Sequence, residues 1–132
     1  MPDFYIEYEA MSHLLAIRVT GAFTDAGMRR CYDALAGAML DRDVRAALLD
    51  LSAVGEFNLS ADAVRGMSRL APLLPDPLPK YIVANQDHVF GMARMFQITS
   101  RNRDALQVVR TSQEVYASLG LTAPAFERVD IH

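Results

Sequence analysis

Asp50, Ser60 and His88 are the side chains of this sequence whose types, taken together, could carry out covalent chemistry. A serine hydroxyl attacks a carbonyl when a histidine takes its proton and a carboxylate orients that histidine. Asp50 closes the apolar run Ala46-Ala47-Leu48-Leu49, Ser60 follows a short loop, and His88 follows a second apolar run, Tyr81-Ile82-Val83-Ala84. All three are therefore expected at one rim of a sheet, beyond the carboxyl ends of its strands, where open α/β sheets dock ligands and partners. The other parts of a hydrolase are not evident. No Gly-x-Ser-x-Gly elbow holds the serine on a strained turn, and no oxyanion loop can be recognised. Each residue also has a simpler use: Ser60 as a helix cap, Asp50 as an acceptor for the loop amides that follow it. The expectation is a protein that is not an enzyme, with a Ser/His/Asp hydrolase as a lesser alternative. His13 falls in a turn and His132 in the tail, without the spacing of a metal site, and no cofactor is implied.

The elements that would position these residues follow from periodicity. Phe4, Ile6 and Tyr8 alternate with Tyr5, Glu7 and Glu9, the pattern of a strand with one wet face. After a turn at Ala10-Met11-Ser12, Leu15, Ile17 and Val19 repeat the pattern, so the two runs are expected to pair as an antiparallel hairpin ended by Gly21. Thr24-Asp25 opens a helix with the stripe Met28, Cys31, Tyr32, Leu35 and Met39, closed by Asp41-Arg42-Asp43. Ala46 to Leu51 reads as a strand covered on both faces. Ser60 is expected to cap a second helix with Val64, Met67, Leu70 and Ala71 inward and Arg65 and Arg69 outward. Pro72, Pro75, Pro77 and Pro79 stiffen the connection that follows.

Tyr81-Ile82-Val83-Ala84 is the next buried strand, and Asp87 is expected to cap a third helix reaching about Ser100. Leu106 to Val109 is a short strand, and Thr111-Ser112-Gln113-Glu114 has the form of a capping box before a last helix ended by Gly120. Residues 121–132 form a tail that either adds an edge strand through Phe126 and Val129 or frays. The order β-β-α-β-α-β-α-β-α predicts an α/β fold: a mixed sheet with an opening antiparallel hairpin, then β-α repeats whose helices pack on the sheet. No internal repeat or linker divides the sequence, so residues 1–132 are expected to form one domain.

Composition narrows the function classes. With 132 residues, 52% of them hydrophobic, the chain can build its own core without staples. A net charge of −3, with no basic run longer than Arg29-Arg30, argues against nucleic acid as a partner. The single Cys31 allows no internal disulfide and reads as a small buried hydrophobe, which points to a reducing, cytoplasmic setting. Met1 to Glu7 lack the basic patch and apolar run of a signal peptide. No stretch approaches the ~18 apolar residues of a membrane span.

The third helix is greasier than its place requires. Val89, Phe90, Met92, Ala93, Met95, Phe96 and Ile98 cover most of its circumference, leaving Arg94 and Gln97 as its chief polar positions. A helix on a sheet needs one apolar stripe, so a second buried face is expected here. Phe90, Met92, Met95 and Phe96 are candidates for a homodimer seam or for the wall of an apolar ligand site, for which methionines are well suited. Gly91 would admit the close approach of another backbone, and Arg94 could meet the polar end of a ligand.

With this order of elements, the sequence resembles the STAS-like superfamily. More narrowly, it is similar to its SpoIIAA-like branch of small bacterial proteins, related to anti-sigma-factor antagonists and to CRAL-TRIO lipid-binding domains. Leu48-Leu49-Asp50-Leu51-Ser52-Ala53-Val54 is similar to the family's hydrophobic-Asp-Leu-Ser-x-Val strand end. Phe57-Asn58-Leu59-Ser60-Ala61 stands where antagonists carry Asp-Ser-Ser-Gly, and Val89 to Gln97 looks like the Phe-Gly-x-Ala-Arg-x-aromatic helix of the branch. The resemblance covers nearly all of the chain before about Gly120. It implies a non-enzymatic regulatory module that binds a partner protein through a rim comprising Asp50, Ser52, Asn58, Ser60, His88 and Arg94, with Ser60 as the candidate phosphorylation site. The alternative it admits is a carrier of a lipid or small apolar molecule. Asn58, Leu59 and Ala61 depart from the antagonist run, which weakens the phosphorylation switch.

Overall fold

The computed structural model describes residues 3–63, 78–99 and 105–130. Two antiparallel strands come first, β1 (Phe4–Glu9) and β2 (Leu14–Val19), followed by the short β3 (Ala22–Thr24) and helix α1 (Asp25–Met39). Then come β4 (Ala46–Asp50), the short β5 (Glu56–Asn58), β6 (Lys80–Val83), α2 (Asp87–Thr99), β7 (Leu106–Val109), α3 (Ser112–Ser118) and β8 (Phe126–Val129). Residues 61–63 are helical as well. The expected inner and outer faces of that helix, Val64 to Ala71, and prolines 72, 75 and 77 lie outside the described residues.

The main sheet has six strands in the order β7-β6-β4-β2-β1-β8. β1 pairs antiparallel with both β2 and β8, while β2, β4, β6 and β7 run parallel. The fold is therefore α/β with a mixed sheet and packed helices. Alternation along the strands sorts the side chains onto two faces. Leu15, Ile17, Val19, Leu51 and Ile82 join Cys31 and Ala38 of α1 and Val89 and Ala93 of α2 in one core. Leu14, Ala16, Ala46, Leu48 and Val83 form a second core on the opposite face, against Val115 of α3.

Local signals act as expected at several ends. Thr24 caps α1 by accepting the Gly27 amide at 3.1 Å. Thr111 and Glu114 close a complete capping box on α3, and Gly120, at φ 72°, takes the left-handed position just past that helix. Asp87 differs from expectation. It opens α2 but bonds Arg110 at 2.9 Å in place of a backbone amide, because β7 ends beside it and delivers a cation. The tail is the edge strand β8, held where the Ala125 amide donates to buried Glu9 at 3.0 Å.

The strands β3 and β5 were not legible as elements. Each is three residues long, and they pair only with one another, in parallel. Gly21 ties the two approaches to this ribbon: its amide and that of Thr20 both donate to the Asp3 carbonyl, and its own carbonyl accepts from the Gly55 amide at 3.0 Å.

Candidate functional site

An apolar cavity of about 220 Å³ lies between the sheet and the helices α1 and α2. Leu15 and Ile17 of β2, Leu49 of β4 and Ile82 of β6 form its floor. Met28, Cys31, Tyr32 and Leu35 of α1 make one wall, and Met92, Ala93 and Phe96 of α2 make another. Phe23 of β3 with Phe57 and Leu59 close the end near the β3–β5 ribbon, and Lys80 and Leu106 also border the space. Leu49 shows the consequence. It sits on a central strand of a six-stranded sheet, where a side chain is normally covered, yet it is only half-buried.

The sequence explains this lining element by element. The stripe Met28, Cys31, Tyr32 and Leu35 follows helical spacing, so α1 turns it to the sheet. Leu15 and Ile17, two apart, share the face that meets it. On α2, Met92 and Phe96 are one helical turn apart and Ala93 stands between them; these are the positions through which that helix meets the cavity. Phe57 holds its end through rings, with Phe23 at 6.0 Å on one side and His88 edge-on at 6.0 Å on the other. Burial pushes the Cys31 thiol up to about 12, ahead of a small lowering by Arg30, so the thiol stays protonated near neutrality.

The expected rim divides into separate local arrangements. Asp50 shares the α3 face of the sheet with Leu48 and Ala46, the face opposite the cavity. Its Oδ2 accepts from Arg18 Nη1 at 2.7 Å, and its Oδ1 accepts from the Ser52 amide at 2.9 Å and hydroxyl at 2.6 Å. The loop-fixing role read from the sequence is present; the arginine was not foreseen. Ser60 accepts the Ala63 amide at 3.0 Å as a helix cap, while its hydroxyl donates to Asp25 at 3.1 Å. His88 is exposed against Phe57, Asn58 bonds Glu56, and Arg94 bonds Gln97 at 2.6 Å. No hydrogen bond joins Asp50, Ser60 and His88, so a relay between them is not assembled.

The greasy helix is divided as well. Met92 and Phe96 face the cavity, whereas Phe90 lies under the Arg110 guanidinium, 4.0 Å from its ring centre. Ile98 is 60% exposed. A Cβ on Gly91 would meet nothing within 4 Å, so among the described residues no backbone uses the close approach that glycine would allow.

Two polar clusters escaped the sequence reading. Arg18 joins Glu7 at 2.8 Å, Asp50 at 2.7 Å and Tyr116 at 3.0 Å, and lies over Phe126. Burial works to lower its pKa, but the bonds to Glu7, Tyr116 and Asp50 prevail and raise it. At the far end of the sheet, the Tyr8 hydroxyl donates to the Asp43 carbonyl at 2.6 Å and meets His13 Nδ1 at 3.0 Å. Strand alternation does mark Arg18 as sharing a face with Ala16, but nothing local names partners 32 and 98 residues away.

No protein-family model matches this chain, and no curated protein matches it at a significant level. Fold and site define an α/β domain with an apolar cavity on one face of its sheet. Among the described residues, no helix is long and apolar enough to cross a membrane, and no three His, Cys, Asp or Glu side chains converge to hold a metal ion.

Proposed function

We propose that this chain is a non-enzymatic binding domain of STAS-like type that holds an apolar molecule between its sheet and the helices α1 and α2. One observation carries the reading: a concave space of about 220 Å³, lined from six strands and two helices and apolar almost throughout. An apolar concavity of this kind favours apolar guests, because covering its surface releases water that it cannot hydrogen-bond. The mixed sheet opened by an antiparallel hairpin is the architecture that the STAS-like resemblance implies. The single free Cys31 accords with a reducing, cytoplasmic setting.

The groups suited to catalysis are already committed elsewhere, which favours binding over reaction. Asp50 serves Arg18 and Ser52, and Ser60 serves Asp25 and the amide of Ala63. That same geometry disfavours a phosphorylation switch. A phosphate on Ser60 would stand against the Asp25 carboxylate that its hydroxyl now donates to. A homodimer seam on α2 is less favoured than ligand contact, since Met92 and Phe96 turn to the cavity and Arg110 covers Phe90.

Benzene, which fills apolar cavities of about 150 Å³, is the probe that tests this reading. Amide NMR of the intact chain during titration should show saturable shifts concentrated around Leu15, Ile17, Leu35 and Ala93, with Val115 and Tyr116 on the other face unmoved. Absence of saturation, or shifts centred on α3, would overturn it.

A further inference from the structure

We infer that two copies of this chain pair through the outer face of α2, the helices antiparallel and crossing at Gly91, with Arg94 of each copy against the partner's Asp87. This surface is distinct from the cavity. Val89 and Ala93 are buried and Phe96 borders the cavity, so those positions form the inner side of α2. Outward it presents Asp87, Gly91, Arg94 and Ile98, spaced four, three and four residues apart and all exposed. Of the seam expected from the sequence, Phe90 lies under Arg110, and Met92 and Phe96 border the cavity. The outer strip has a different content: an open glycine in the middle, one charge of each sign, and an isoleucine left 60% exposed.

The order of these residues points to what covers them. Along the helix axis Asp87 stands about 6 Å before Gly91 and Arg94 about 4.5 Å after it; both lie within about 60° of the glycine's direction, on the same side of it. A second α2, laid antiparallel about a two-fold axis between the two glycines, brings each Arg94 level with the partner's Asp87. A parallel copy would set like charges level. A strip that complements itself on reversal fits another copy of the same chain. A Cβ at Gly91 would meet nothing within 4 Å, and its absence lets a crossing backbone come close. Both charges have capacity to spare. Asp87 accepts from Arg110 at 2.9 Å, yet its side chain is 98% exposed. Arg94 gives an N–H to Gln97 at 2.6 Å and keeps others. Ile98, a turn past Arg94, is carried over the start of the partner's helix. One face of a 13-residue helix covers less than the ~1,200 Å² of stable interfaces, so the pair is a transient one.

Sedimentation equilibrium of the intact chain, from about 10 µM to about 1 mM, is the test. The average mass should rise with concentration from that of one chain toward that of two. Arg94→Glu and Asp87→Lys should each weaken pairing at least about tenfold, since each sets two like-charge contacts across the seam. Mixed in equal amounts, the two variants should pair with one another about as well as the native chain does, because each substituted side chain then opposes the other. Within one chain these positions lie about 10.5 Å apart along the axis, so rescue by mixing reads a contact between copies. Gly91→Gln has open room in the single chain and should also weaken pairing at least about tenfold, while its urea midpoint in dilute solution does not fall. Should Asp87→Lys fail to fold without its tie to Arg110, Arg94→Glu and Gly91→Gln decide. The mass of a single chain at about 1 mM would overturn the pairing. Pairing that ignores the variants, or a mixture no stronger than its components, would overturn its assignment to α2.

Discussion

Arg18→Met separates two accounts of the ion group on the α3 face. Arg18 and Asp50 have side chains only 13% and 10% exposed, and their atoms approach to 2.7 Å; Glu7, on the other side of the guanidinium, is 21% exposed. Methionine keeps the length and the apolar stem but leaves Asp50 without a countercharge. Breaking a buried pair by removing one partner costs about 3–5 kcal/mol. Two features place this case at the lower end, about 3 kcal/mol. Asp50 keeps its bonds from the Ser52 amide and hydroxyl, and Glu7 can turn toward water. Against a total stability of about 5–15 kcal/mol, that is a large fraction. Adding Asp50→Asn removes the stranded charge while a side-chain carbonyl still accepts from Ser52, so the double variant should regain about half of the loss. Urea denaturation followed by circular dichroism, with slopes compared to confirm an unchanged transition, measures both. A loss under about 1 kcal/mol for Arg18→Met, or a double variant as unstable as the sum of the singles, would refute the view that the arginine acts chiefly by neutralising a buried carboxylate.

Three further outcomes are expected. Burial works to raise the Glu9 pKa, but the Ala125 amide and the Ser12 hydroxyl and amide prevail and hold it below the usual carboxylate range. Its contribution to stability is therefore full above the unfolded value and is lost as pH falls through the lower, folded one. The stability deficit of Glu9→Gln at pH 7 should accordingly shrink below about pH 4 in denaturation curves taken across that range; a deficit independent of pH would contradict this. Thr111→Ala removes the hydroxyl that caps α3 and should cost about 1 kcal/mol, visible as a lower urea midpoint at unchanged slope. Cys31, with its thiol pushed up to about 12, should react slowly with an aromatic disulfide reagent at pH 8 in the native protein and promptly in denaturant; equal rates would show that the α1 face is open to the reagent.

Much of the architecture was legible because its signals are local. The hairpin from Phe4 to Val19, the continuous apolar run before Asp50 and the Thr111–Glu114 box each depend on residues near in sequence. The stripe on α1 also pointed to a face that needed covering, and with Met92 and Phe96 of α2 it borders the cavity; the second face expected of α2 carries Ile98, which is 60% exposed. The short strands β3 and β5 were not legible. Three residues are too few to show a period, and their pairing joins segments 34 positions apart. Asp87 was misread because a capping signal cannot reveal that Arg110 lies within reach.

The sequence by itself determined which faces are apolar, where helices begin, and that a carboxylate and a serine stand near strand ends, because these follow from backbone period and side-chain type. Only the tertiary structure decided what those residues do. Strand alternation placed Asp50 on the side of Arg18 and α3, folding carried Ser60 to Asp25, and His88 stands exposed against Phe57, so three residues suited to a catalytic relay are held in three separate places. It also left Leu49 half-covered between two helices. Volume is a property of facing surfaces in three dimensions, and no one-dimensional pattern records how closely α1 and α2 approach the sheet.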